Sequence, residues 1–113
     1  VNRAAHQALI DNMTEAELQK TVTDALTALG YVWTHFQAAR ARSGRWLTPL
    51  TGDPGFPDVI ALRAGVGWAL EFKSQKGRAT LGQLGWIAAF RRAGFQSYII
   101  RPDELDWLLE SLK

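Results

Sequence analysis

Residues 58–73 read Asp58-Val59-Ile60-Ala61-Leu62-Arg63-Ala64-Gly65-Val66-Gly67-Trp68-Ala69-Leu70-Glu71-Phe72-Lys73. Two apolar, strand-prone segments, Asp58–Arg63 and Trp68–Lys73, flank Ala64-Gly65-Val66-Gly67, whose composition is that of a turn. The stretch therefore predicts a β-hairpin. Pairing Arg63 with Trp68 sets Asp58 opposite Lys73 and Ile60 opposite Glu71. Because side chains alternate along a strand, Asp58, Glu71 and Lys73 then share one face, and Trp68, Leu70 and Phe72 the other. Two carboxylates and one ammonium group meet at one end of an otherwise apolar hairpin.

Working outward, the segment before the hairpin has no regular period. Residues 37–56 hold Arg40, Arg42 and Arg45 with Pro49 and Pro54, and predict a long basic loop. Connections are usually about 4–6 residues, so one of this length is expected to be functional or mobile. Tyr31–Phe36 (YVWTHF) reads as another strand. Upstream of it, Thr14 and Glu17 form a T-x-x-E capping box, and Leu18, Val22, Ala25, Leu26 and Leu29 mark one helical face ending at Gly30. Residues 1–13 are expected to form a short helical N-terminal arm.

Downstream of the hairpin, Leu81–Ala93 reads as a helix closed by Gly94 and Phe95–Ile100 as a strand. Pro102-Asp103 opens a terminal helix with Leu105, Leu108, Leu109 and Leu112 on its apolar side. The predicted order is α-β-β-β-α-β followed by a C-terminal helix: an α/β (α+β) fold with a mixed sheet flanked by helices. The 113 residues suffice for one core but not two, so residues 1–113 are expected to be a single domain.

Composition narrows the function. Cysteine is absent and only His6 and His35 are present, which disfavours disulfides, thiol chemistry and structural zinc. No apolar run approaches the ~20 residues of a membrane span and no signal-peptide pattern opens the chain, so the expected setting is cytoplasmic. The formal net charge is +2, but between Ala25 and Pro102 ten basic residues face only Asp53, Asp58 and Glu71. That leaves a net +7 in the middle and −5 at the two ends. Such a basic body suits a polyanion, most commonly nucleic acid.

The acids left inside the basic zone give the chemistry. Phosphodiester hydrolysis needs charge neutralisation and an activated water, which Mg²⁺ or Mn²⁺ provides when held by hard oxygen ligands. Asp58, Glu71 and the backbone carbonyl of Phe72 are the candidate ligands, with Glu15 as a further carboxylate that could bind the metal. Lys73 would hold the attacking water or stabilise the developing charge. Gln83 shares a stripe with Trp86, Ile87 and Phe90 and either looks into this site or sits exposed in the first turn of its helix. Glu17 is committed to the helix cap, whereas Glu15 leans toward the core-facing stripe and is the candidate third acid. Arg40, Arg42 and Arg45, with Lys76 and Arg78 after the Glu-x-Lys strand, are candidate phosphate contacts. Trp46 either stacks on an unpaired base or packs the loop down. His35 either assists the site or is incidental. Trp33, Trp68, Trp86 and Trp107 are expected in the core or at a dimer interface.

The order Glu15-x-x-x-Gln19, Gly55-Phe56-Pro57-Asp58, Glu71-Phe72-Lys73 and Gln83-x-x-Trp86 resembles the VRR-NUC branch of the PD-(D/E)XK nucleases, from Thr14 to Ile100. The resemblance implies a restriction-endonuclease-like core and a Mg²⁺- or Mn²⁺-dependent endodeoxyribonuclease. It implies a stand-alone phage or bacterial protein acting as a homodimer on branched DNA such as Holliday junctions. Carried over by position, Asp58 and Glu71 are metal ligands, Lys73 the catalytic lysine, Glu15 the helix acid and Gln83 an auxiliary residue. Two alternatives remain beside this: a nicking, restriction-like or flap nuclease with the same site, and a nuclease fold that binds nucleic acid without cutting it.

Overall fold

The computed structural model describes residues 2–36 and 51–113. A short helix α1 (Arg3–Asn12) precedes α2 (Glu15–Ala28), which Thr14 and Glu17 cap reciprocally as expected. Strands β1 (Val32–His35), β2 (Val59–Arg63) and β3 (Val66–Phe72) follow. Next come α3 (Leu81–Arg92), β4 (Gln96–Ile100), a 3₁₀ turn at Pro102–Glu104 and α4 (Leu105–Leu112). The sheet has the order β1-β2-β3-β4, with β1, β2 and β3 antiparallel and β4 parallel to β3. Helix α3 makes the crossover that a parallel pair requires. The mixed sheet and element order are those expected.

The hairpin differs from the expected register by two residues. Arg63 pairs with Val66, and Val59 with Leu70. The turn is Ala64-Gly65 alone, with φ of 50° and 81°, so both central residues adopt the left-handed conformation of a two-residue type I′ hairpin. Its twist matches that of the flanking strands, which lets Val66 and Gly67 join β3 instead of the turn. An even shift preserves the faces. Val59, Ala61, Trp68, Leu70 and Phe72 still pack in one core with Leu18, Val22 and Leu26 of α2 and Leu108 and Leu112 of α4. Asp58, next in the register, lies opposite Glu71 instead of Lys73.

Helix α3 covers the other face. Two close backbone approaches seat residues 54–57 on its N-terminal end. A Cβ on Gly55 would lie 2.4 Å from the Gly82 carbonyl carbon, and one on Gly82 would lie 2.7 Å from the Pro54 oxygen. Phe56 packs edge-on to Trp86 and Phe90, with centroids 5.1 and 5.9 Å away. Pro57 is fully buried, so the chain reaches Asp58 from a clamped segment.

Candidate metal and phosphodiester site

Asp58 is held from two sides. Its backbone carbonyl accepts from the Phe36 N–H at 3.0 Å, and its Oδ2 accepts from the Phe72 N–H at 2.8 Å. Phe72 faces the core with its side chain, so its backbone is what it offers to the site. Ile100 takes the Lys73 N–H at 3.0 Å and anchors the far side of the strand end.

Glu71 is 3% exposed, an unusual place for a carboxylate without a full set of partners. Its Oε2 accepts from Gln83 Nε2 at 3.0 Å and lies 3.7 Å from Lys73 Nζ. Its Oε1 is buried with no hydrogen-bond partner. Burial first, and the adjacent Asp58 charge second, push the Glu71 carboxyl up from 4.5 to about 8, with Lys73 opposing. Near neutral pH the metal-free site therefore holds a proton on Glu71.

Gln83 does two jobs. Its Oε1 accepts from the Thr80 N–H at 2.9 Å while Thr80 Oγ1 accepts from the Gln83 N–H at 3.1 Å, a capping box at the start of α3. Since a backbone N–H can only donate, the cap fixes which end of the amide is oxygen and leaves Nε2 for Glu71. Gln83 is thus in the first turn but half-buried and turned to Glu71, not the exposed first-turn residue that the sequence also allowed. The T-x-x-Q spacing of Thr80 and Gln83 carried this signal, by the same rule that identified Thr14 and Glu17.

Lys73 is held between acids: Glu15 Oε1 lies 3.8 Å from Nζ, and the lysine side chain is only 12% exposed. Glu15 itself is about half exposed, in the first turn of α2. The five expected site residues, Glu15, Asp58, Glu71, Lys73 and Gln83, thus line one cleft of about 700 Å³, together with Gln19, Trp33 and His35. Of the two places expected for Trp33, core or dimer interface, it does not take the core: it is partly exposed. Trp68 is buried in the core, while Trp107 is about half exposed and packs against Tyr98. Lys76 and Arg78 are exposed on the β3–α3 connection but do not line the cleft. Arg40, Arg42, Arg45 and Trp46 lie outside the described residues.

The donor set fits a hard divalent cation. Asp58 Oδ1 and Glu71 Oε1 are held by no other group among the described residues, and the Phe72 carbonyl is the adjoining neutral oxygen donor. A cation there would take up Glu71 Oε1, which Lys73 and Gln83 leave without a partner. Among the described residues no three His, Cys, Asp or Glu side chains converge to cage an ion, so backbone oxygen, water or substrate must complete the shell.

No family model and no curated protein sequence matches the chain. Among solved structures, one described as a VRR_NUC domain superposes with a TM-score of 0.61 at 24% sequence identity. The match covers 87% of this chain and 97% of that one. The chain has the fold of a VRR-NUC domain, a restriction-endonuclease-like mixed sheet flanked by helices.

Proposed function

We propose that the protein is a Mg²⁺- or Mn²⁺-dependent endodeoxyribonuclease that hydrolyses phosphodiester bonds, acting as a homodimer on branched DNA such as Holliday junctions. The observation behind the reading is the opposed pair of half-buried Asp58 and buried Glu71, with an oxygen on each that no other described group holds, beside an amine held by acids. The VRR-NUC fold supports the same reading, because it is the fold the motif order implies. Asp58, Glu71 and the Phe72 carbonyl would hold the metal. The ion, when bound, would neutralise phosphate oxygens and make a water nucleophilic.

The protein's own groups have separable tasks. Gln83 orients Glu71 by donating to Oε2, which leaves Oε1 for a ligand. Glu15 and Glu71 hold the Lys73 ammonium, which would stabilise charge developing on the phosphate or position the water. A protein that only bound nucleic acid would gain nothing from clustered carboxylates beside a phosphate, whose charges repel it. The homodimer part of the reading is supported by α1, a ten-residue helix with no buried side chain. An isolated helix of that length is marginal in water.

The test uses a four-way junction, a flap, a linear duplex and single strands, each with Mg²⁺, with Mn²⁺ and with chelator, alongside sedimentation of the protein. Junction cleavage that disappears on chelation is the expected result. Lys73→Ala is expected to lower cleavage by at least about a hundredfold, the scale seen on losing one transition-state donor, while binding survives. Cutting of flap or duplex but not junction would redirect the substrate class. Tight binding with no product in either metal would overturn the nuclease reading.

A further inference from the structure

Trp33 lies on β1, at the open edge of the sheet, and lines the same cleft as Glu15, Asp58, Glu71 and Lys73. It is 36% exposed. Each of the other described tryptophans packs on an aromatic ring: Trp68 on Tyr98 at 6.1 Å, Trp86 on Phe56 at 5.1 Å, Trp107 on Tyr98 at 5.1 Å. Trp33 has no such ring partner among the described residues. Its indole N–H donates to Thr27 Oγ1 of α2 at 2.9 Å, which satisfies its polar atom and fixes the ring edge. What remains for the cleft is apolar ring surface, already oriented, within a wall of charged and amide groups.

From this we infer that Trp33 is a stacking platform for an unpaired or displaced nucleobase farther along the cleft from the acids, and so selects DNA that is not continuous duplex. The inference rests on the nuclease reading and deepens it. An aromatic ring alone in a polar cleft gains little from sugar or phosphate, whereas a flat base covers its face. Every base has such a face, so the contact tolerates any sequence but requires a base out of the helix. Because Thr27 holds the indole in advance, little conformational entropy remains to be lost on binding.

Three labelled probes test it in chelator, where binding is read without cutting: a blunt duplex, the same duplex with a single-stranded tail, and the tailed duplex with abasic sites in the tail. Trp33→Leu is expected to weaken the tailed duplex roughly tenfold and the blunt duplex about twofold or less. Trp33→Phe keeps a ring and is expected to retain most of the affinity. Abasic sites are expected to erase the difference between wild type and Trp33→Leu. Equal loss on all three probes, or none on the tailed one, would overturn the inference. Cleavage by the wild type in Mg²⁺ separates the two levels. If it cuts DNA while Trp33→Leu shows no tail-specific loss, only the stacking role falls. If it neither binds nor cuts any probe, nor a four-way junction, the nuclease reading falls and this one with it.

Discussion

At the scale of single residues, Glu71 is where burial and charge oppose each other. Its carboxyl is driven to about 8 by burial and by Asp58, while the unfolded chain would ionise it near 4.5. Between those values the folded protein holds a proton that the unfolded chain releases. The contribution is complete below about 4.5 and is lost as pH rises through about 8, so metal-free stability should fall across that window. Thermal melting in chelator at stepped pH is the measurement, and Glu71→Gln, which cannot ionise, should flatten the slope. Metal and proton compete for the same oxygens, so Mg²⁺ affinity by calorimetry should rise with pH and level off above about 8. A pH-independent affinity would remove Glu71 from the ligand set.

At the scale of elements, the site depends on how the start of α3 seats against the segment entering β2. The glycines of α3 separate packing from propensity. Gly82 meets the Pro54 backbone, whereas a Cβ on Gly85 would meet nothing within 4 Å. Gly82→Ala should therefore cost about 1–3 kcal/mol through overpacking and reduce cleavage by shifting Asp58 against Glu71. Gly85→Ala should instead add up to about 1 kcal/mol through helix propensity, with activity unchanged. Denaturant melts of the two variants check the opposite signs. Thr80→Ala removes the hydroxyl that caps α3 and should cost about 1 kcal/mol.

Across the whole molecule, the basic excess divides into structural and free charge. Arg63 donates to the carbonyls of Leu29, Leu112 and Lys113 and stacks 4.3 Å over the Tyr31 ring, tying α2 to the C-terminal helix. Arg91 donates to the Ser97 carbonyl, and Arg101 to those of Ser74 and Gly77. These three hold backbone in place, so the count of basic residues overstates the surface available to phosphates. Lys76 and Arg78 make no such bonds among the described residues and are exposed. Replacing either by alanine should reduce the slope of log affinity against log salt by about 1, with weakening shared evenly among DNA sequences. An unchanged slope in fluorescence anisotropy titrations would exclude that phosphate contact.

The sequence by itself determined the order of elements, the two faces of the hairpin and the residue types of the site, because these depend on local periodicity, capping and alternation. The parity of Asp58, Glu71 and Lys73 survived a two-residue register change for that reason: an even shift cannot move a side chain across a sheet. Only the tertiary structure decided the partners. Which oxygen of Glu71 is orphaned, that Gln83 serves both a cap and a carboxylate, and that Glu15 holds Lys73 all depend on contacts between elements far apart in the chain. The exposure of Trp33 was likewise invisible beforehand. An indole on an edge strand has the same local pattern whether a neighbouring element covers it or leaves it facing a cleft, and only packing chooses between them.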